Sequence, residues 1–561
     1  MLFTWDDSAR LEAELAALPP LDNATVEATE DDFVVDAIHP GAPLIISFSY
    51  VVWTQRPPLY FFGRSKKLEQ LTGQPLNRIL LRDKTFHWFM HGVPGLGTDV
   101  DQVVARLKRL IAAIRPSQVW CIGDSMGGHA ALLFGMLLRA DRIVSICPLS
   151  NFDPDFARRH NDRRFLWAMD AVAATPPANR YLDLPRLARE LDFQGRVDLL
   201  IGTYGGDTAP DAVNLDVMHA FRFGHLPKLR VHYLTEAHHD DVALRLVRDG
   251  RLDGILLECF FDRPPREDAP PRLDAWLPRA AASGGTATDS QAGRGAFNAD
   301  LANMLGAMPA FDPKANNVKD LEDAGQALLL DRATPHAPLL ICFGDSAPGE
   351  PVGFDFFDVS QKLKALYGRP LNRILMRDPQ RQWWMRGVPG LGNDCLTVAR
   401  ALRNLSAAMQ PERIICLGNG MGGYAALVFA MLLRAEVAVA LNPLSLLDAN
   451  FARLSHDSRH LEPLAQLDTP SPVAGPRDLL RLAAETGHTG KLEILFSTVA
   501  PGQGVQASSH SAVHAARLGL LPNCRVHAFP DHPENKLLPK LEQLKVLPSF
   551  LHRVALLDVP A

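Results

Sequence analysis

A set of motifs that returns at one fixed distance constrains this chain more than any single residue does. Pro75-Leu-Asn-Arg-Ile-Leu-Leu-Arg-Asp83 comes back as Pro370-Leu-Asn-Arg-Ile-Leu-Met-Arg-Asp378. Gly92-Val-Pro-Gly-Leu-Gly97 comes back as Gly387-Val-Pro-Gly-Leu-Gly392, and Gly123-Asp-Ser-Met-Gly-Gly128 as Gly418-Asn-Gly-Met-Gly-Gly423. Pro148-Leu-Ser150 returns as Pro443-Leu-Ser445, and every pair is 295 positions apart. A constant offset means two copies of one domain, aligned over this span without a net insertion. The 561 residues suit two large domains and a connector. We divide them as 1–262, a first copy; 263–296, a Pro/Ala/Gly-rich linker; and 297–561, a second copy. The linker stretch lacks the apolar surface needed to order itself.

Composition excludes several classes. With 58 basic and 63 acidic residues the net charge is -5, too balanced for nucleic-acid binding by bulk electrostatics. The apolar runs Ala130–Leu138 and Ala425–Leu433 are stopped by Arg139 and Arg434, so no membrane span is expected. The first residues lack a signal-peptide pattern. The seven cysteines are scattered, odd in number and without a CxxC, which points to a reducing cytoplasm rather than a disulfide scaffold.

Within each copy, short β-rich runs alternate with segments of helical period, the pattern of an α/β domain whose mostly parallel sheet is flanked by helices. Strands are expected at Leu44–Phe48, Ile79–Arg82, Val119–Ile122, Ile143–Cys147, Val197–Ile201 and Val231–Leu234. Val100–Ile114 puts its apolar residues on one helical face, and Gly127–Leu138 is apolar on nearly every side.

Between the Val119–Ile122 strand and the Gly127–Leu138 helix lies Gly-Asp-Ser125-Met-Gly-Gly. A nucleophilic serine has to be held clear of the backbone at a helix start, on a turn whose neighbours two residues away lack side chains. Gly123 and Gly127 meet that demand, although isolated Gly-x-Ser-x-Gly sequences are often ordinary turns. The Met126 amide would then face the developing oxyanion, with a second donor from Ser49 or Tyr50. The base belongs in Glu236-Ala-His238-His239-Asp240-Asp241, where spacing does not separate His239 from His238. The orienting carboxylate belongs in the loop after the next-to-last strand, Asp207 first and Asp211 second. Two adjacent histidines with two aspartates carry the donor types of a metal cluster, but no helical His-x-x-x-His spacing supports one. Neither a Walker loop nor a dinucleotide fingerprint is present, so no cofactor or metal is expected.

The elbow, the strand pattern and the late histidine loop resemble the α/β-hydrolase superfamily in both copies. The resemblance implies Ser125 as nucleophile, His239 or His238 as base and Asp207 as acid. The superfamily's usual His-Gly after the early strand is replaced by Phe48-Ser-Tyr50. The second copy has lost these groups: Ser125 corresponds to Gly420, Asp207 to Gly502 and Asp211 to Gln506, while the late loop keeps only an out-of-register His532. The expected function is a serine acyl hydrolase, an esterase or thioesterase, with a degenerate second copy. The alternatives are an acyltransferase to a hydroxyl acceptor such as a glycan, or a non-catalytic binding or scaffold protein. The expected partners are a small-molecule or carrier-linked acyl substrate and a protein bound through the second copy. The run Arg158–Arg164 sits where the superfamily inserts lids and could meet an anionic substrate, although charge runs are usually solvated. The aromatics Trp53, Tyr60, Phe61, Phe62, Trp88 and Phe89 are read as core or cleft wall.

Overall fold

The computed structural model describes residues 3–36, 39–52, 56–203, 215–235, 237–264, 267–270, 272–274, 318–323, 325–331, 334–345, 352–389, 391–468, 475–499 and 509–557. They fall into two compact units, the first ending and the second beginning between 279 and 280.

The first unit is built on strands β1 (Phe33–Asp36), β2 (Leu44–Phe48), β3 (Asn77–Leu81), β4 (Val119–Asp124), β5 (Arg142–Ile146), β6 (Arg196–Gly202), β7 (Leu229–Leu234) and β8 (Arg272–Asp274). They form one sheet in the order β1-β3-β2-β4-β5-β6-β7-β8. β2 to β7 run parallel, and β1 and β8 pair antiparallel at the edges. The second unit contains β9 (Leu328–Asp331), β10 (Leu339–Phe343), β11 (Asn372–Met376), β12 (Ile414–Asn419), β13 (Val437–Leu441), β14 (Lys491–Val499) and β15 (Cys524–Pro533). Their order, β15-β14-β13-β12-β10-β11-β9, repeats the first seven. Each of the strands β9 to β15 starts 295 positions after its counterpart, so the repeat found in the sequence is a repeat of strands.

Burial on both faces explains the unbroken apolar runs of the central strands. Every residue of the Met126–Leu137 helix from Met126 to Met136 is buried, because this helix packs over the middle of the sheet. The Val100–Ile114 helix starts at the expected residue, capped by the Asp99 carboxylate on the Gln102 amide. It buries Val100, Val103, Val104, Leu107, Leu110 and Ile114.

The antiparallel edges were not expected. β1 is only four residues long and lies next to a buried ion pair, Asp36 with Arg78 of β3, repeated as Asp331 with Arg373. β8 falls inside the stretch read as linker. A three-residue edge strand needs only main-chain pairing with β7, so low apolar content does not exclude it. Among the described residues no helix is long and apolar enough to cross a membrane.

β3 and β4 flank β2 on opposite sides, which makes the carboxyl ends of β2 and β4 a topological switch point. Crevices open where connections leave a parallel sheet in opposite directions. The loops after β2 and β4, carrying Ser49-Tyr50 and Ser125, meet there.

Candidate active site

Ser125 stands between β4 and the following helix at φ 52, a backbone angle that L side chains rarely adopt. The turn closes because its neighbours are glycines. A Cβ on Gly123 would overlap the Gly127 carbonyl, and one on Gly127 would overlap the Phe48 carbonyl and lie 2.7 Å from the Ser49 carbonyl. One on Gly128 would lie 2.6 Å from the Ile146 carbonyl. These close approaches pin the serine over the end of the sheet.

Ser125 Oγ lies 2.9 Å from His239 Nε2. His239 Nδ1 lies 2.8 and 2.9 Å from the two carboxylate oxygens of Asp216. A carboxylate only accepts, so Nδ1 carries the ring proton and Nε2 is free to accept from the serine hydroxyl. Asp216 is buried, with 1% of its side chain exposed, whereas His239 keeps 15%. The bond to Ser125 is thus made by His239; its neighbour His238 is half-buried.

Asp207 and Asp211 lie outside the described residues. The imidazole is held instead by Asp216, in the first turn of the Leu215–Phe221 helix. The acid was expected in the loop after β6, whereas the carboxylate bonded to His239 lies beyond it, on the helix. A signal was available at the 295-residue offset. Ser125, Asp216 and His239 correspond to Gly420, Ser511 and Glu534, so all three members are replaced together.

Charges around Asp216 are arranged by a second group that sequence reasoning missed. Arg164 donates to Asp216 at 3.0 Å and grips Asp162 with two nitrogens at 2.9 and 2.8 Å. Asp162 accepts from His219 Nε2 at 3.0 Å, and His219 Nδ1 accepts from the Ser150 amide. Arg222 ties Ser150 to Asp183. The second unit keeps this scaffold as Asp457, Arg459, His514, Ser445, Arg517 and Asp478, with Arg459 reaching Glu534 instead of an aspartate. The basic run is therefore mixed: Arg158 pairs with Asp170 at the surface, while Arg164 turns inward.

Burial opposes ionisation of Asp216, but His239 and Arg164 outweigh it and hold its carboxyl at about 2. For His239 burial favours the neutral ring, and the Asp216 and Asp124 carboxylates overcome it and raise the imidazole above its ordinary value. Asp124, beside the serine, is pushed up to about 7 by burial against the pull of His239.

A base at His239 would work only when neutral, so activity that depends on it should fall as pH drops through the raised His239 value. Arg164 repels the protonated ring and lowers its pKa. Arg164→Gln is therefore expected to move the acid limb of the kcat/KM profile to higher pH. Arg164→Lys, which keeps the charge, should move it less. An unshifted limb in a folded Arg164→Gln protein would show that the guanidinium does not set the base.

The Met126 amide opens the helix at the turn, where a first-turn N–H has no intrahelical acceptor. The Ser49 amide is spent on the Leu81 carbonyl at 3.0 Å. The second unit illustrates how this amide attracts a negative oxygen. The Met421 amide donates to the Asp345 carboxylate at 3.1 Å, and a Cβ on Gly420 would meet that carboxylate at 2.5–2.6 Å.

Among the described residues, two donor groups have ligand atoms within 4.8 Å of one another, Cys147–Asp216–His239 and Asp198–His232–Cys259. Burial drives both thiols well above their usual range, away from the thiolate that a metal takes. Asp198 also carries Arg196 and Arg230, charges that a cation would have to displace. Trp88 and Phe89 are fully buried, Tyr60 and Phe62 line a cleft, and Trp53 lies outside the described residues.

The strand order shared by both units and the tight strand-to-helix turn after β4 and β12 make each unit α/β-hydrolase-like in fold, and the first unit adds an imidazole after β7. No family model matches the chain, and no curated protein matches it. Among solved structures it is similar to an α/β hydrolase, MGS-MChE2, from a sediment metagenome of the Mar Chica lagoon, Morocco (16% identity, 41% of this chain and 96% of that chain, TM-score 0.27). It is also similar to a Pyrobaculum calidifontis esterase (11% identity, 46% and 99%, TM-score 0.28). A third likeness is to a glycosylation-associated protein complex, Gap123, from Streptococcus agalactiae (18% identity, 42% and 46%, TM-score 0.30).

Proposed function

We propose that the first unit is a serine acyl hydrolase acting on an ester or thioester, small or carrier-linked, through an acyl-enzyme on Ser125, and that the second unit is non-catalytic. One observation carries the reading: hydroxyl, imidazole and carboxylate stand in a hydrogen-bonded line, with the carboxylate buried and the hydroxyl at the more open end.

Ser125 Oγ attacks the carbonyl carbon while its proton passes to His239 Nε2. Asp216 keeps the Nδ1 proton in place and stabilises the imidazolium without taking a proton itself. Charge on the former carbonyl oxygen is met by the Met126 amide, with the Tyr50 amide as the second donor. His239 then protonates the leaving group, and a water activated by the same nitrogen releases the acyl group. A hydroxyl acceptor such as a glycan in place of that water would give transfer from the same intermediate.

Gly420 puts no hydroxyl at the turn and Glu534, bound by Arg459, puts no imidazole behind it, which supports a non-catalytic second unit. A fluorophosphonate probe should label the intact chain at the peptide carrying Ser125 and leave the peptide carrying Gly420 unmodified. A folded, unlabelled chain would overturn the proposal.

A further inference from the structure

Beside the elbow, a cleft of about 620 Å³ opens in the first unit. Its described lining includes Tyr50, Tyr60, Phe62, Arg56, Arg64 and Lys67. Tyr50 joins it to the reaction centre, because it belongs to the loop after β2 whose Phe48 and Ser49 carbonyls abut Gly127. The Tyr50 and Tyr60 rings meet edge to face at 5.0 Å, and both phenols feel the Asp124 carboxylate next to Ser125.

The cations on this wall differ in how fully they are engaged. Arg82 is spent on the carbonyls of Thr29, Asp31 and Pro57, and the second unit repeats that role with Arg377. Arg56 pairs with Glu30. Arg64 and Lys67 share one carboxylate, Asp253, at 2.9 and 2.5 Å, so two positive charges face one negative. Among the cleft-lining residues the acid is Glu27.

The second unit acts as an internal control. Tyr50, Tyr60 and Arg64 correspond there to Asp345, Asp355 and Val359, and Asp253 to Pro548, whereas Lys67 is kept as Lys362 and Phe62 as Phe357. Arg82, which holds the fold, is kept as Arg377, whereas the two tyrosines and Arg64 change together with Ser125, Asp216 and His239. Two phenols have become carboxylates and one guanidinium a valine where the reacting groups are missing; the fold does not require the originals.

We propose that this cleft binds an anionic, ring-bearing part of the substrate, with Tyr50 and Tyr60 against the ring and Arg64 and Lys67 on a phosphate or carboxylate. Two cations sharing one carboxylate retain attraction for an oxyanion, and partial burial keeps that attraction from being fully screened. Aromatic edges and faces receive a planar or ring-shaped body. The purpose of the cleft rests on the acyl-enzyme reading, but its occupancy does not depend on turnover.

The test therefore reads binding in the full chain by calorimetry, with phenyl phosphate, benzoate and neutral phenol as probes. Both anions should bind and phenol at least tenfold more weakly; the stronger anion distinguishes phosphate from carboxylate as the natural group. Arg64→Gln with Lys67→Gln should weaken the anions about tenfold or more while leaving fluorophosphonate labelling of Ser125 intact. Phenol binding as well as the anions, no binding of either anion, or anion binding unchanged in the double variant would each overturn the proposal. Failed labelling with intact anion binding would instead strike the acyl-enzyme reading alone.

Discussion

Ser125→Ala is expected to lower kcat on a model ester by on the order of 10⁴–10⁶-fold, the loss seen when a nucleophile is removed from a working triad. The fold should survive. The turn tolerates residues with small side chains, since the second unit builds it with Gly420 at φ 54 and the same strand-to-helix path. A matching far-ultraviolet spectrum and melting temperature would show that only chemistry was lost. Turnover within tenfold of the unmodified protein would remove Ser125 from the reaction and favour a binding or scaffold role for both units.

Asp216→Asn should cost about 10⁴-fold in kcat, through proton placement rather than through size. The carboxylate fixes the ring proton on Nδ1 and leaves Nε2 bare toward Ser125. An amide can turn its NH₂ to Nδ1 and so favour the opposite tautomer, with Nε2 protonated and unable to accept from the hydroxyl. It would also remove the negative charge that Arg164 meets at 3.0 Å. Asp207→Asn and Asp211→Asn should retain ordinary rates, because His239 Nδ1 already has its partner in Asp216. The comparison is read in steady-state kinetics of the three variants side by side. A fast Asp216→Asn enzyme would show that the observed hydrogen bond does not orient the base.

Much of this was legible in the sequence because it rests on local rules. The central strands are unbroken apolar runs, and the elbow needs glycines at 123 and 127 whatever surrounds it. The Val100–Ile114 helix carries its face and its cap within its own residues. The edge strands β1 and β8 follow no such rule, since pairing at a sheet edge is decided by main-chain hydrogen bonds to β3 and β7. Asp216 escaped for a related reason. A carboxylate at the start of a helix reads locally as a first-turn acid suited to the helix dipole. Its partnership with His239, 23 residues away, exists only once β6 and β7 lie side by side. Arg164 likewise looked like one more charge in a solvated run until the fold turned it onto Asp162 and Asp216.

Asp345 makes the loss in the second unit hard to reverse. Its carboxylate rests on the Met421 amide and fills the space that a side chain at 420 would enter. A single Gly420→Ser reversion would meet an anion where the tetrahedral intermediate should form, next to Glu534 locked against Arg459. On the proposed reading, a working site there would need changes at 345, 420, 511 and 534 together. On the proposed reading the surface of the second unit is free to serve other uses while the first carries the chemistry.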